Sequence, residues 1–203
     1  MKLYNENMPA PNPRRVRMYL AEKGIEVPLV HIAMMKREHK SPEFREKNSL
    51  GQVPSLELDD GTVISESVSI CRYFEALYPE PALFGKTPVE IALIDMWLRR
   101  CEFVVMTPIG NYWRHAHPYT SKLLTQFKDF GESNREAAAR SLSWFDKELE
   151  GKEFAVGAQF TVADIMLFCS VEFGIYTGLE IPEDCANVRA WHARVAARPS
   201  AKA

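Results

Sequence analysis

The sequence of 203 residues has little of three features that would place it in common functional classes. Its apolar runs fall well short of the ~20 residues that a membrane-spanning helix needs, so we expect no membrane partner. A formal net charge of −2 shows no basic excess, and nucleic acid is therefore a poor default partner. Residues 1–4 lead directly into a strand pattern rather than a secretory leader, so we expect a cytoplasmic protein.

Cysteine and histidine patterns argue against disulfide and metal sites. The four cysteines are far apart and form no C-x-x-C pair, which favours buried, reduced thiols. His115 and His117 stand two positions apart and face different directions on a helix, so we expect no bound metal. Phosphate-loop, nucleophile-elbow and zinc-protease motifs are also missing from the sequence.

Residues 1–79 mix short strands and helices. A strand at residues 2–5 is followed by Asn12-Pro13, which predicts a helix with Asn12 as its N-cap, and Gly24 ends that helix. A strand at residues 27–32 completes a βαβ unit. A hairpin then turns at Asp60-Gly61 and leads into a helix after Ser65. This order predicts a small α/β domain of the thioredoxin kind, within a two-domain α+β protein.

The remainder is predicted to be all helix after a linker at residues 80–87. Thr87 and Glu90 form a capping box that opens a long helix, which we expect Pro118 to end. Residues 119–149 are predicted as one further helix, interrupted near Gly131. A second capping box at Thr161 opens a buried helix over 165–176, and residues 186–198 form the last helix. The predicted helical domain covers residues 88–203.

The stretch from residue 48 to 67 has the character of a binding site. Pro54 opens a strand, and a cis bond to Val53 would leave the Val53 main-chain N–H and C=O free to pair with an extended peptide. The helix start after Ser65 supplies amide groups suited to a carboxylate. Together they predict a site for a small acidic peptide.

Taken in order, these segments resemble the cytosolic glutathione transferases, including bacterial nu-class, plant phi-class and theta-like enzymes. The resemblance rests on residues 15–24, 39–44, 48–54 and 66–67 and on the box at 161–164. It implies a thioredoxin-like glutathione-binding domain and a helical domain, glutathione as cosubstrate, and a homodimer. It also implies an enzyme that attacks a small hydrophobic electrophile, a disulfide or a peroxide with bound glutathione thiolate.

The resemblance implies roles for individual residues in holding glutathione. Val53, before Pro54, pairs with the cysteinyl part, while Ser67 donates to the γ-glutamyl carboxylate and Glu66 accepts from its ammonium group. His39 and Lys40 match the plant phi-class pair directed at the glycyl carboxylate, and the alternative to this role is an exposed polar loop. Gln52 can donate an amide hydrogen bond to the tripeptide main chain.

The catalytic position departs from the family pattern. Related enzymes place Ser, Cys or Thr where this chain has Ala10, which can neither donate a hydrogen bond nor form a mixed disulfide. Asn12 matches the Asn of the nu-class T-P-N motif and is our candidate catalytic residue. Tyr4 is an alternative donor to the thiol, although its register favours a packed strand residue. Ala10 also leaves open a binding protein without catalysis, resembling the stringent-starvation and elongation-factor relatives.

A second-substrate pocket is expected between the two domains, where ligand sites commonly form. Phe103, Met106 and Tyr112 recur at helical spacing, and Met8 lies in the loop before the first helix. Core packing of the long helix explains the first three residues equally well. The sequence leaves the identity of the electrophile open.

Overall fold

The computed structural model describes residues 1–7 and 10–203. The chain forms two compact units, one of residues 1–82 with 199–203 and the other of residues 83–198. The first contains a four-stranded sheet and the second is helical. This arrangement confirms the predicted α+β fold class.

The sheet of the first unit has the strand order β2-β1-β3-β4. Its strands are β1 (Lys2–Asn5), β2 (Leu29–His31), β3 (Ser55–Glu57) and β4 (Val63–Ser65). β1 and β2 are parallel, whereas β3 lies antiparallel to both β1 and β4. The parallel pair is the predicted βαβ unit, and the antiparallel pair β3–β4 is the predicted hairpin.

Three helices cover this sheet: α1 (Pro11–Lys23), α2 (Pro42–Lys47) and α3 (Ser67–Leu77). Short 3-10 turns at Met34–Lys36 and Glu38–Lys40 precede α2. The core between sheet and helices consists of fully or almost fully buried side chains: Leu3, Val16, Met18, Tyr19, Leu56, Ile70 and Phe74. Gly24 ends α1 in the left-handed conformation at φ 65°, as predicted.

The start of α1 differs from the prediction. Ala10, not Asn12, is the N-cap residue, and the helix begins at Pro11. Proline suits the first helical position and keeps the preceding residue extended, which Ala10 is at φ −77° and ψ 128°. Pro11 therefore starts the helix ahead of Pro13, and Asn12 lies inside its first turn.

The helical unit opens with the predicted long helix, which is continuous but not uniform. α4 (Pro88–Arg100) runs through a π-helical segment, Cys101–Met106, into α5 (Thr107–His115). The main-chain N–H of Thr107 donates to the carbonyl of Glu102 in a π-type bond. Pro108 follows and has no N–H to donate, so the π segment lies where proline interrupts the regular ladder. The capping box of Thr87 and Glu90 is confirmed.

The prediction of a single helix over 119–149 is wrong for the first part of that range. Pro118–Lys122 is a 3-10 turn, and α6 begins only at Lys128 and continues to Glu148 without a break at Gly131. The Gln126 amide donates to the carbonyl of His117 at 2.8 Å, which stabilises the connecting segment. A Cβ on Gly131 would lie 2.6 Å from the main chain of Ala116, so this glycine permits close packing rather than interrupting α6.

Two more helices complete the unit: α7 (Val162–Tyr176), which is buried along most of its length, and α8 (Ala186–Ala196). The four cysteines are free and buried, as predicted. Within residues 1–7 and 10–203, no helix combines the length and apolar character needed to cross a membrane.

Candidate functional site

The bond between Val53 and Pro54 is cis. The Val53 side chain is buried and packs in a cluster with Tyr4 and Phe44. Among the described residues, none makes a hydrogen bond to the main-chain N–H or C=O of Val53. Val53 thus anchors the loop through its side chain and leaves its main chain available to a ligand.

Asn48 fixes the shape of this loop. Its amide donates to the Gln52 carbonyl at 2.9 Å and to Ser55 Oγ at 3.1 Å, and its oxygen accepts from the Leu50 N–H at 3.2 Å. Asn48 is only 7% exposed, so these bonds are shielded from water. Sequence reasoning included Asn48 in the resemblance but gave it no role. The Gln52 side chain, in contrast, is exposed.

The start of α3 is unusual in its backbone. Glu66, the N-cap residue, has φ 66° and ψ 117°, a conformation that side-chain-bearing residues rarely adopt. No side chain of the described residues caps this helix, and its first turn carries no acidic residue. The amide groups of that turn therefore remain able to bind an external anion.

The cis-proline loop and the start of α3 lie at one end of the sheet. Ser55, which follows Pro54, is the register partner of Ser65, which precedes Glu66. Antiparallel partners stand ~5 Å apart between their Cα atoms. The Val53 main chain and the first turn of α3 are thereby within reach of one short peptide.

Arg15, which belongs to the segment 15–24 of the resemblance but was given no role there, contacts two of the predicted site residues. It is 3% exposed, and its Nη1 lies 2.5 Å from Ser67 Oγ and 3.1 Å from Asn12 Oδ1. The available signal was its spacing, because a residue three positions after Asn12 shares a helix face with it. The structure thus brings two predicted site residues, Asn12 and Ser67, onto one buried guanidinium.

Asn12 itself is exposed. Its oxygen accepts from Arg15 instead of capping α1. Pro11 and Pro13 carry no N–H, so Asn12 has the only main-chain N–H in the first three positions of this helix. The Asn12 side-chain NH₂ group is therefore an additional donor that this helix end can offer to a ligand.

His39 and Lys40 lie in a 3-10 turn beside the loop. Lys40 Nζ donates to the carbonyls of Leu50 and Gly51 at 2.9 and 2.7 Å. Burial lowers the pKa of His39, and the positive charges of Lys40 and Arg37 lower it further. Within the described part of the chain, His39 Nδ1 is buried and has no hydrogen-bond partner. The His39 ring is therefore held mainly in its neutral form.

Tyr4 points to a different set of groups. Its hydroxyl donates to Glu57 Oε2 at 2.5 Å, and Lys47 and Lys2 contact the same carboxylate at 2.8 and 3.3 Å. Lys47 and Tyr4 are the main causes that lower the pKa of Glu57 to about 2. The Tyr4 hydroxyl thus takes part in a network that joins β1, β3 and α2.

The predicted second-substrate residues differ in their surroundings. Phe103 is 63% exposed, Met106 is half-buried, and Tyr112 is 5% exposed. The Tyr112 hydroxyl accepts from Arg135 at 2.7 Å. These three residues therefore do not share one exposed surface of the helical unit, and Met8 lies outside the described residues.

Comparison with known proteins identifies the family. A model described as glutathione S-transferase, N-terminal domain, matches residues 10–77, and one described as glutathione S-transferase, C-terminal domain, matches residues 102–199. Glutathione S-transferase 2 of Saccharomyces cerevisiae is 41% identical over 196 residues, covering 95% of this chain and 84% of its own length.

Solved structures agree with this assignment. The crystal structure of Gtt2 from Saccharomyces cerevisiae aligns with a TM-score of 0.93 and 40% identity, covering 100% of this chain and 99% of that one. A glutathione S-transferase domain-containing protein from Marinobacter aquaeolei aligns with a TM-score of 0.92 and 38% identity, covering 98% and 99%. A thioredoxin-like sheet with a cis-proline, an uncapped α3 and this similarity lead to one conclusion: the chain belongs to the glutathione S-transferase family and is a glutathione transferase.

Proposed function

We propose that glutathione binds along the first unit, with its γ-glutamyl carboxylate at the start of α3 and its cysteinyl main chain at Val53. The observation that carries this proposal is the uncapped first turn of α3, which begins at Ser67. This turn lies close to the cis-proline loop, because Ser55 after the loop is paired with Ser65 before the helix. Charge-assisted hydrogen bonds are worth about 1.5–3 kcal/mol each, so a few of them suffice for useful affinity.

The γ-glutamyl end is held by two side chains in this scheme. The Ser67 hydroxyl and the first amide groups of α3 donate to the carboxylate. Glu66, exposed and held at positive φ, accepts from the ammonium group. The amide groups and the dipole of α3 favour a negative charge at its start.

The other end of the tripeptide meets the loop before Pro54. Gln52 is exposed and can donate to the tripeptide main chain. His39 and Lys40 are assigned to the glycyl carboxylate. Lys40 already donates to two carbonyls of the loop, which gives its ammonium group a defined position next to that loop.

Catalysis requires glutathione as its thiolate, since the thiol is a poor nucleophile. Lowering a thiol pKa from about 8.5 to 6.5 requires about 2.7 kcal/mol of preferential thiolate stabilisation. An amide hydrogen bond to a charged group supplies about 1.5–3 kcal/mol and the start of α1 about 0.5–1 kcal/mol. Asn12 is assigned the role of this amide donor, because Ala10 has no polar side chain and the Tyr4 hydroxyl is bonded to Glu57.

The thiolate then attacks a small hydrophobic electrophile. Met8, Phe103, Met106 and Tyr112 remain our prediction for the residues that contact it. Glutathione-dependent reduction of disulfides or peroxides is the second candidate reaction, and Asn12 beside Ala10 favours it because the resemblance to nu-class enzymes lies there. A cytoplasmic detoxification enzyme is the proposed biological context.

A homodimer is proposed with α3 and α4 at its interface. Both helices carry exposed apolar side chains. These side chains are Leu77 on α3 and Val89, Ile91 and Leu93 on α4.

The function is tested by retention on immobilised glutathione followed by two activity assays. We expect retention and turnover with chlorodinitrobenzene, with hydroxyethyl disulfide, or with both. Turnover of the disulfide alone selects the second candidate reaction. Retention without turnover of either substrate would contradict the proposed catalytic activity and favour a glutathione-binding protein without catalysis.

A further inference from the structure

The Arg15 side chain contacts two residues that are assigned to different groups of the proposed ligand. One guanidinium nitrogen lies 2.5 Å from Ser67 Oγ, where the γ-glutamyl carboxylate is assigned, and 3.1 Å from Asn12 Oδ1, where the thiolate is assigned. The two contacts come from one buried side chain on α1. The chemistry of a guanidinium, which has donors but no acceptor, decides what these contacts do.

The contact with Asn12 fixes the orientation of its amide. Because Arg15 can only donate, the Asn12 atom that it touches must be the oxygen. The amide is planar, so its NH₂ group then points away from Arg15. Asn12 is exposed, and that NH₂ group is accordingly presented outward as a donor. An Asn12 without Arg15 could rotate and present its oxygen, which would repel a thiolate.

The contact with Ser67 likewise makes its hydroxyl available as a donor. Ser67 Oγ accepts from Arg15, and a hydroxyl has a single hydrogen to give. That hydrogen can therefore be donated to an anion bound at the first turn of α3. Ser67 is 5% exposed, so water competes little for this bond.

We infer that Arg15 is a positioning residue that sets both Asn12 and Ser67 as outward-facing donors, one for the thiolate and one for the γ-glutamyl carboxylate. The inference rests on the proposed placement of glutathione. It assigns Arg15 no contact with the reacting atoms. Its role is to make two neutral side chains present donors, and to hold the two anion contacts in a fixed relation to each other.

The test uses two substitutions at Arg15 in the full chain. Arg15→Met removes the donors, and Arg15→Lys keeps the charge but loses the planar guanidinium whose Nη1 donates to both acceptors. Arg17→Met is the matched control, because Arg17 lies on the same helix but donates to Asn5 Oδ1 at 2.7 Å and to the Glu6 carbonyl at 2.9 Å. Thermal unfolding identifies any variant that does not fold, and Arg15→Lys decides alone if Arg15→Met fails.

Two readouts separate the two contacts. The dissociation constant of S-methylglutathione reports the γ-glutamyl contact, since this compound has no thiolate. The ultraviolet absorbance of bound glutathione against pH reports the pKa of its thiol. We expect Arg15→Met to raise the dissociation constant roughly tenfold, which corresponds to about 1.4 kcal/mol. We expect Arg15→Lys to raise it about threefold, and both variants to raise the thiol pKa by roughly half a unit or more.

Other outcomes overturn the inference in distinguishable ways. Arg15 variants that match the parent protein in either readout would show that Arg15 does not orient both donors. If Arg17→Met changed the dissociation constant and the thiol pKa as much as Arg15→Met does, the cause would be the loss of helix charge and not the loss of side-chain orientation. A folded parent protein that binds neither glutathione nor S-methylglutathione would refute the proposed ligand placement itself.

Discussion

Individual residues at the site combine ordinary side chains with unusual surroundings. Ala10, the N-cap residue of α1, has no polar side chain, and the first polar side chain within that helix is the exposed amide of Asn12. The rare backbone conformation of Glu66 directs the chain into α3 with its first amide groups uncapped. Local strain of this kind is retained where the surrounding structure determines it, commonly at ligand sites.

Asn12→Ala is expected to lower turnover at least about tenfold, because one hydrogen bond to the charged sulfur is lost. Glutathione affinity is expected to change little. Steady-state kinetics with chlorodinitrobenzene and calorimetry with glutathione measure the two quantities. Equal turnover in variant and parent would remove Asn12 from the mechanism.

Ser67→Ala is expected to raise the dissociation constant of glutathione roughly tenfold or more, since the proposed carboxylate contact is lost. Glu66→Ala should act in the same direction. Ser69→Ala is the matched control, because Ser69 lies exposed in the same first turn. Calorimetry in which Ser67→Ala and Ser69→Ala bind alike would show that the site is misplaced.

At the level of elements, α7 depends on a buried carboxylate. Asp164 is fully buried and accepts from the main chain of Ala155 at 2.8 Å and of Thr161 at 2.9 Å. It also accepts from Thr161 Oγ1 at 3.1 Å and from Trp191 Nε1 at 2.9 Å. Burial raises the pKa of Asp164, and these four donors oppose that rise. One side chain thereby joins the start of α7 to the preceding loop and to α8.

Asp164→Asn is expected to lower the free energy of unfolding by about 3 kcal/mol, because the new NH₂ group faces donors and leaves buried groups unpaired. Urea unfolding measures this loss. Asp129→Asn serves as the control, since Asp129 is exposed in the first turn of α6. A loss below about 1 kcal/mol in Asp164→Asn would be no more than that of an average substitution and would contradict this role.

Glu57 makes stability depend on pH through the contact of β1, β3 and α2. Its pKa is lowered from 4.5 to about 2, so its carboxylate contributes stability above pH 4.5 that is lost as pH falls toward 2. We expect Glu57→Gln to reduce stability at neutral pH and to lose less stability than the parent protein over this acidic range. Urea unfolding at several pH values, with Glu46→Gln as an exposed control on α2, measures the difference. Parallel acid profiles for Glu57→Gln and the parent protein would count against this contact.

For the molecule as a whole, the proposed homodimer predicts a mass that light scattering can measure. Val89→Glu places a charge among the exposed apolar side chains of α4 and is expected to give the mass of a monomer in light scattering. Phe127→Glu is the control, because Phe127 is similarly exposed, at 65%, outside that group. A parent protein with the mass of a monomer would contradict the dimer.

Local signals in the sequence were sufficient for most of the fold. Proline, glycine and capping residues located α1, the β3–β4 hairpin, α3 and the start of α4, because these residues act through their own backbone geometry. The same reasoning failed where two signals competed. Pro11 and Pro13 both suit a helix start, and the helix begins at Pro11. Gly131 is of a residue type that often interrupts helices, but here it permits close packing against Ala116.

The sequence by itself determined the family and the two types of domain, and it predicted a site around Val53, Glu66 and Ser67, since short-range patterns and their order carry that information. Only the tertiary structure decided that Arg15 joins Asn12 to Ser67, and that the Tyr4 hydroxyl is bonded to Glu57. Both are contacts between segments far apart in the chain, 52 positions apart for Arg15 and Ser67. The partner of a hydrogen bond over that distance depends on how helices and strands pack, which local spacing does not encode.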